Sequence, residues 1–78
     1  MRVRVRYFAV LRERRGRNEE DVEVLDGESL GELYLRLFPP GPDGVLPVAF
    51  ARNRETARGG DRPSDGDEIA FLPPIGGG

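Results

Sequence analysis

The C-terminal segment of the chain carries the group best placed for chemistry. The chain ends on Pro73, Pro74, Ile75, Gly76, Gly77 and Gly78. Glycine has no Cβ atom, so a run of glycines can enter a slot that any other residue would block. The α-carboxylate of Gly78 is then accessible to a partner enzyme that attacks its carbonyl or attaches a group to it. A frayed terminus of the kind found in many domains is the alternative, and the tail alone does not decide between them.

The other side chains argue against an active site of the chain's own. The 78 residues contain no cysteine and no histidine, which removes thiol nucleophiles, zinc–thiolate sites and the usual general base near neutral pH. The basic residues are all arginine, so no lysine or histidine can activate a hydroxyl group. Carboxylates alone would need a cleft, which a domain this small seldom encloses. We therefore expect that the chain is not an enzyme in its own right.

The acidic cluster near the C-terminus resembles a calcium loop only superficially. Counted from Asp61, the third position is Pro63 and the twelfth is Leu72, so the pattern of oxygen ligands fails. Asp65-Gly66 is better explained as a turn that leads into a strand. The sequence therefore predicts no metal site.

Charge and hydropathy bear on location and partners. Residues 1–18 carry seven arginines against one acid, whereas residues 19–78 carry five arginines against thirteen acids. Such asymmetry is typical of a partner surface or a nucleic-acid footprint. We favour protein docking and expect no nucleic-acid partner. No apolar run approaches the roughly 20 residues of a membrane span, so we expect a cytoplasmic protein with no membrane attachment.

Alternating residues predict a first strand over residues 2–9. Val3, Val5 and Tyr7 point to one side, which we assign to the core. The opposite side carries Arg2, Arg4, Arg6 and Phe8. An exposed aromatic residue such as Phe8 often marks a docking surface. A short helical turn over 10–16 follows, and the alternation of residues 20–24 predicts a second strand that closes a hairpin.

One main helix is predicted after the hairpin. Ser29 and Glu32 have the spacing of a capping box, and Pro39 ends the helix. The apolar stripe of the helix consists of Leu30, Leu33 and Leu37, with Tyr34 beside it. Residues 48–51 then predict a third strand, 54–66 are polar and turn-rich, and 67–72 predict the last strand. In that strand Ile69 and Phe71 face one side, and Ala70 and Leu72 face the other.

This order of elements predicts an α+β domain of the β-grasp, or ubiquitin-like, class. A mixed sheet of four to five strands curls over one main helix, and the first and last strands lie parallel at its centre. We place the domain at residues 1–72 and an extended, flexible tail at 73–78. The extended tail reaches roughly 20 Å, enough to enter a partner's pocket while the domain docks outside.

Two segments resemble one family. Residues 7–13 resemble the YFAxLRE segment of the small, sulfur-carrying subunit of molybdopterin synthase. Residues 65–78 resemble the DGDEVAFxPPVxGG ending of that family. The middle of the chain departs from the pattern, because Arg52 stands where a valine is common and residues 54–64 are poor in apolar side chains.

The resemblance implies a mechanism centred on Gly78. A ubiquitin-activating-type adenylyltransferase uses ATP to adenylate the C-terminal carboxylate, and sulfur then replaces AMP to leave a thiocarboxylate. The tail enters the large subunit of molybdopterin synthase, expected in a heterotetramer, where the sulfur builds the dithiolene of molybdopterin. No cofactor is expected to stay bound to this chain. The predicted partner-binding residues are Arg4, Arg6, Phe8, Leu11, Arg12, Ala70 and Leu72.

Three alternatives stay open on the sequence. The same tail chemistry could serve thiamine thiazole synthesis or tRNA thiolation. A ubiquitin-like modifier conjugated to target lysines would need the adenylate but no sulfur. A plain binding module with an incidental tail would need neither.

Overall fold

The computed structural model describes residues 1–74 and contains five strands and two helices. The strands are β1 (Arg2–Tyr7), β2 (Glu19–Glu23), β3 (Ala49–Arg52), β4 (Glu55–Ala57) and β5 (Glu68–Leu72). The helices are α1 (Ala9–Arg15) and α2 (Leu30–Leu37). Residues 75–78 lie outside the described part, so the predictions for Ile75, Gly76, Gly77 and Gly78 are not addressed by it.

The five strands form one mixed sheet in the order β2-β1-β5-β3-β4. β1 and β2 form the predicted antiparallel hairpin, and β5 enters between β1 and β3. Its pairing with β1 is parallel, with Val5 opposite Ile69, and its pairing with β3 is antiparallel, with Phe50 opposite Phe71. The predicted central parallel pair and the α+β, ubiquitin-like β-grasp class are thus confirmed.

The core lies between the sheet and α2. On the covered face, Val5, Ile69 and Phe71 have no exposed surface. From α2, Leu30 and Leu33 are fully buried and Tyr34 nearly so, as the apolar stripe predicts. Burying such side chains contributes roughly 1.5–3 kcal/mol each, which is what a helix of eight residues needs because it is too short to be stable alone.

Local signals set the ends of both helices. Ser29 Oγ accepts a hydrogen bond from the backbone N–H of Glu32, and Glu32 Oε1 accepts one from the N–H of Ser29, which confirms the capping box. α1 ends at Gly16, whose φ of 73° is left-handed and whose N–H bonds to the carbonyl of Arg12. Glycine adopts this conformation at no steric cost.

The segment after β4 closes the N-terminal end of α2. The N–H of Leu30 bonds to the carbonyl of Asp61, and the N–H of Gly31 bonds to the carbonyl of Gly59, each at 2.8 Å. A Cβ atom at Gly31 would lie 3.2 Å from that Gly59 oxygen. This contact is tighter than most real Cβ contacts, so glycine at position 31 suits the close approach of the two backbones.

Strand β4 is the element that the sequence did not predict. Its three residues, Glu55–Ala57, lie inside the polar, turn-rich stretch of residues 54–66, where we placed no strand. It pairs with β3 through a two-residue turn at Asn53-Arg54, in which both residues have positive φ. Polar residues outnumber apolar ones here because β4 is an edge strand with little core to cover.

Candidate functional site

The root of the tail lies on the uncovered face of the sheet. β5 ends at Leu72, which is 38% exposed, and Pro73 and Pro74 follow directly. Neither proline has a backbone N–H, so sheet pairing cannot continue along the tail. A shallow apolar surface surrounds this point, formed by Pro47, Val48, Ala49, Leu72, Pro73 and Pro74.

Next to it lies a concave surface, the tail-root depression, of about 340 Å³. Its floor is Ala49, Ala51 and Ala70, which belong to the neighbouring strands β3 and β5. Ala51 lies directly opposite Ala70, and Ala49 opposite Leu72. Cross-strand neighbours share a face, so three small side chains side by side leave a hollow. The rim is formed by Arg6, Phe8, Arg54, Glu55, Thr56, Glu68 and Leu72, with part of Phe50 below.

Phe8 forms one side of the depression together with Arg6. The guanidinium of Arg6 lies 5.5 Å from the centroid of the Phe8 ring, within the range of a cation–π contact. Arg6 is also paired with Ala70 in the β1–β5 register. The structure therefore brings four predicted partner-binding residues, Arg6, Phe8, Ala70 and Leu72, to one surface beside the tail.

Leu11 does not belong to that surface, and its prediction as a partner-binding residue is wrong. Its side chain has no exposed area and packs in the core. The family-like segment led to this error because α1 is amphipathic, and its apolar position faces inward. Leu11 instead anchors α1, whose first hydrogen bonds run from the N–H groups of Leu11 and Arg12 to the carbonyl of Phe8.

Tyr7, the residue before Phe8, belongs to a half-buried polar network on the core side of β1. The hydroxyl of the adjacent Tyr7 donates to Glu20 Oε1 at 2.5 Å, and Arg15 donates to the same oxygen. Arg15 also lies over the Tyr7 ring at 5.8 Å. Burial would raise the pKa of Glu20, but the hydrogen bonds from Tyr7 and Arg15 outweigh it, and the net pKa is lowered. Burial and this hydrogen bond raise the pKa of Tyr7.

Arg4 is engaged within the chain. It donates to Glu19 Oε1 at 2.5 Å and to Asp21 Oδ1 at 3.0 Å, both across the β1–β2 hairpin, and these bonds raise its pKa. Arg2 lies near Glu23 in the same way, at 3.6 Å. The acidic residues of β2 thus form ion pairs with the arginines of β1. The number of charges along the chain could not reveal this pairing. Arg12 is exposed on α1 and does not line the depression.

Sequence reasoning missed the β3 side of the depression. Ala49, Ala51 and Arg54 were not predicted as site residues. Alternation in residues 48–51 does place Ala49 and Ala51 on one face, but the pairing of β3 with β5 decides which face that is. Arg54 could not be placed without knowing that residues 53 and 54 form a hairpin turn.

Within residues 1–74, no three histidine, cysteine or acidic side chains are grouped so as to hold a metal ion. Neither of the helices in the same range is long and apolar enough to span a membrane.

Comparisons with known proteins agree with this geometry. The profile of the ThiS family matches residues 5–78. A molybdopterin synthase sulfur carrier subunit of Chlamydomonas reinhardtii is 39% identical over the full length of both chains. The molybdopterin synthase sulfur carrier subunit of Mycobacterium tuberculosis is 35% identical, covering 100% of this chain and 99% of the relative.

Solved structures share the fold of this chain. Small archaeal modifier protein 1 of Haloferax volcanii superimposes with a TM-score of 0.77 at 28% identity, covering 95% of this chain and 98% of that one. A chain from the complex of subunits 1 and 2 of the molybdopterin-converting factor of Helicobacter pylori gives a TM-score of 0.65 at 26% identity over the full length of both. The family match spans nearly the whole chain, and the β-grasp topology agrees with it. This chain belongs to the ThiS family.

Proposed function

We propose that this chain is the sulfur carrier of molybdopterin synthesis and that its sulfur travels on the carboxyl group of Gly78. The observation that carries the proposal is the tail-root depression, because it provides a docking surface where β5 ends and the glycine segment follows. Both full-length relatives are named as molybdopterin synthase sulfur carrier subunits.

The chemistry follows from the weakness of a carboxylate as an electrophile. In the first step, an oxygen of the Gly78 carboxylate attacks the α-phosphate of ATP on a ubiquitin-activating-type adenylyltransferase, and pyrophosphate leaves. In the second step, hydrosulfide (HS⁻) attacks the carbonyl carbon of the acyl-adenylate, AMP leaves, and loss of the sulfur-bound proton yields the thiocarboxylate. This chain contributes the reacting carboxyl group, while ATP and the catalytic side chains belong to the cytoplasmic partner enzyme.

The large subunit of molybdopterin synthase is the proposed acceptor. The solved Helicobacter pylori complex of molybdopterin-converting factor subunits 1 and 2 supports a partnership of this kind. We propose that Phe8 and Leu72 dock on the large subunit, in a heterotetramer, while residues 73–78 enter its active site. Two prolines at the base of the tail restrict its unbound conformations, so less entropy is lost when it inserts.

A second candidate is a ubiquitin-like modifier joined to lysines of other proteins. The similarity to small archaeal modifier protein 1 favours it. Both candidates need an adenylate at Gly78, but only the sulfur carrier needs a thiocarboxylate. The product made from the adenylate therefore separates them.

Removal of Gly78 tests the proposal. The deletion should abolish sulfur transfer to the large subunit and leave the thermal midpoint unchanged, because residues 75–78 follow the last strand. Intact protein from sulfur-replete cells should show the mass increase of oxygen-to-sulfur exchange, located at Gly78 by C-terminal fragmentation, since oxidation of Met1 adds nearly the same mass. Transfer by the shortened chain contradicts the carrier proposal. Conjugates with other proteins, without a thiocarboxylate, favour the modifier.

A further inference from the structure

Arg54 adopts a backbone conformation that arginine disfavours. Its φ is 68°, and it occupies the second position of the two-residue turn between β3 and β4. Both central residues of this turn need positive φ. Asn53, at the first position, is a residue that tolerates it, but the second position strongly prefers glycine because a Cβ atom there meets the backbone.

The contacts of Arg54 do not account for its presence. Its side chain is 81% exposed, and its Nε lies 3.4 Å from Glu68 Oε2. An exposed ion pair of this length adds little stability because water and salt screen it. The turn is held instead by Asn53, whose side chain accepts a hydrogen bond from the N–H of Glu68 and donates one to Asp67 Oδ1. Glycine at position 54 would keep all of these contacts except the weak ion pair.

The position of Arg54 suggests why a strained arginine is useful. It lines the tail-root depression on the β3–β4 side, while Arg6 and Phe8 line it on the β1 side. Arg6 already lies against Phe8 and near Glu19. In residues 1–74 the one hydrogen bond from Arg54 is made by Nε, so the two terminal nitrogens are left for a carboxylate, which the planar guanidinium binds with two parallel bonds.

We infer that Arg54 is a specificity-determining residue of the tail-root depression. It binds a carboxylate on the partner protein, next to an apolar side chain that fills the hollow over Ala49, Ala51 and Ala70. The inference rests on the proposed function, which supplies the large synthase subunit as that partner.

The test is a titration of the large subunit with matched variants at low and high ionic strength. Arg54→Gly removes the charge and the strain together, Arg54→Asn removes the charge but keeps a residue that tolerates positive φ, and Arg54→Lys keeps the charge without the planar fork. Arg58→Gln is the control, since Arg58 is also an exposed arginine but does not line the depression.

We expect Arg54→Gly and Arg54→Asn to weaken binding roughly three- to tenfold at low ionic strength and to reduce its dependence on salt. Arg54→Lys should fall between these variants and the wild type. Arg58→Gln should bind like the wild type. The thermal midpoint of Arg54→Gly should stay equal or rise, because the left-handed turn no longer carries a side chain.

Three results with the variants would overturn the inference. Equal affinity of Arg54→Gly and wild type shows that Arg54 makes no contact, and leaves the carrier function intact. An equal loss in Arg58→Gln shows a general charge effect, and a clearly lower midpoint of Arg54→Gly shows that the arginine serves stability. If the wild type itself does not bind the large subunit, the proposed function fails and this inference fails with it.

Discussion

The two faces of the central strands differ in what covers them. On one face, Ile69 and Phe71 are fully buried under α2. On the other, Ala70 is half-buried and Leu72 is 38% exposed, although these residues alternate with the first pair along the same strand. Within residues 1–74 no helix packs on this open face, since Leu11 of α1 and the apolar stripe of α2 both lie in the core.

Alternate side chains of β5 therefore have different roles: one set stabilises the fold, and the other lies on the surface that we propose for docking. β5 supplies the centre of the core with every second side chain and the tail-root depression with the others. Pro73 and Pro74 follow the same strand, so the proposed docking surface and the proposed reacting terminus are both joined to β5. Substitutions on the covered face should therefore reduce stability, and substitutions on the open face should reduce partner affinity.

Among the variants that test the difference between the two faces, Phe71→Ala should have the largest effect on stability. The ring packs against those of Tyr34 and Phe50, with centroids 5.1 and 5.8 Å apart. Truncating a buried phenylalanine costs about 3–5 kcal/mol, whereas a domain of this size has roughly 4–12 kcal/mol of stability in total. Urea denaturation followed by circular dichroism should show the free energy of unfolding lowered by about 3–5 kcal/mol.

Leu72→Ala is the matched control for Phe71→Ala. It lies one residue further along β5, on the open face, and should lower the free energy of unfolding by only about 1 kcal/mol. A similar loss of stability in the two variants would contradict the division of labour between the faces.

Phe8→Ala tests the open face directly. The ring is half-buried and lies on the rim of the depression, so its removal should weaken binding of the large subunit about tenfold. The core contacts of the neighbouring Tyr7 are not altered, so the thermal midpoint should change little. Calorimetric titration measures the first effect and a thermal melt the second. Unchanged affinity would remove the docking proposal for this surface, and a collapse of the midpoint would reassign Phe8 to the fold.

The sequence was sufficient to predict the covered face, because the patterns that define this face involve residues close together in the chain. Alternation in β1 and β5, the capping box at Ser29 and the leucine stripe of α2 each depend on residues a few positions apart. Each of them is confirmed. Together they leave few arrangements for a domain this small, and the central parallel pair follows from them.

The open face was harder to predict because it depends on which strands are neighbours. The hollow over Ala51 and Ala70 exists only through the β3–β5 register, and the ion pairs of Arg4 only through the β1–β2 register. Leu11 was misplaced because a motif shared with a family does not say which of its residues face the core. β4 was missed because a three-residue edge strand has too few residues to show a pattern.

The smallest predicted effect compares carboxylates on the two sides of the sheet. Glu28 is 7% exposed, and it accepts hydrogen bonds from the guanidinium of Arg36 and from the N–H of Leu25. The bond from Arg36 outweighs burial and lowers the pKa of Glu28 from its usual 4.5. A carboxylate with a lowered folded-state pKa stabilises the fold above its unfolded value, and this stabilisation is lost as the pH falls through the lowered value.

The thermal midpoint of the wild type should therefore fall as the pH decreases below about 4.5. Glu28→Gln should lower stability at neutral pH by roughly 1–2 kcal/mol and flatten part of this acid dependence. Asp21→Asn makes the same change of charge on the open face, where Asp21 pairs with Arg4 and both side chains are about half exposed. It should change the free energy of unfolding at neutral pH by less than Glu28→Gln does, because exposed pairs are screened. An equal loss of stability in the two variants would show that the two carboxylates do not differ in their contribution to the fold.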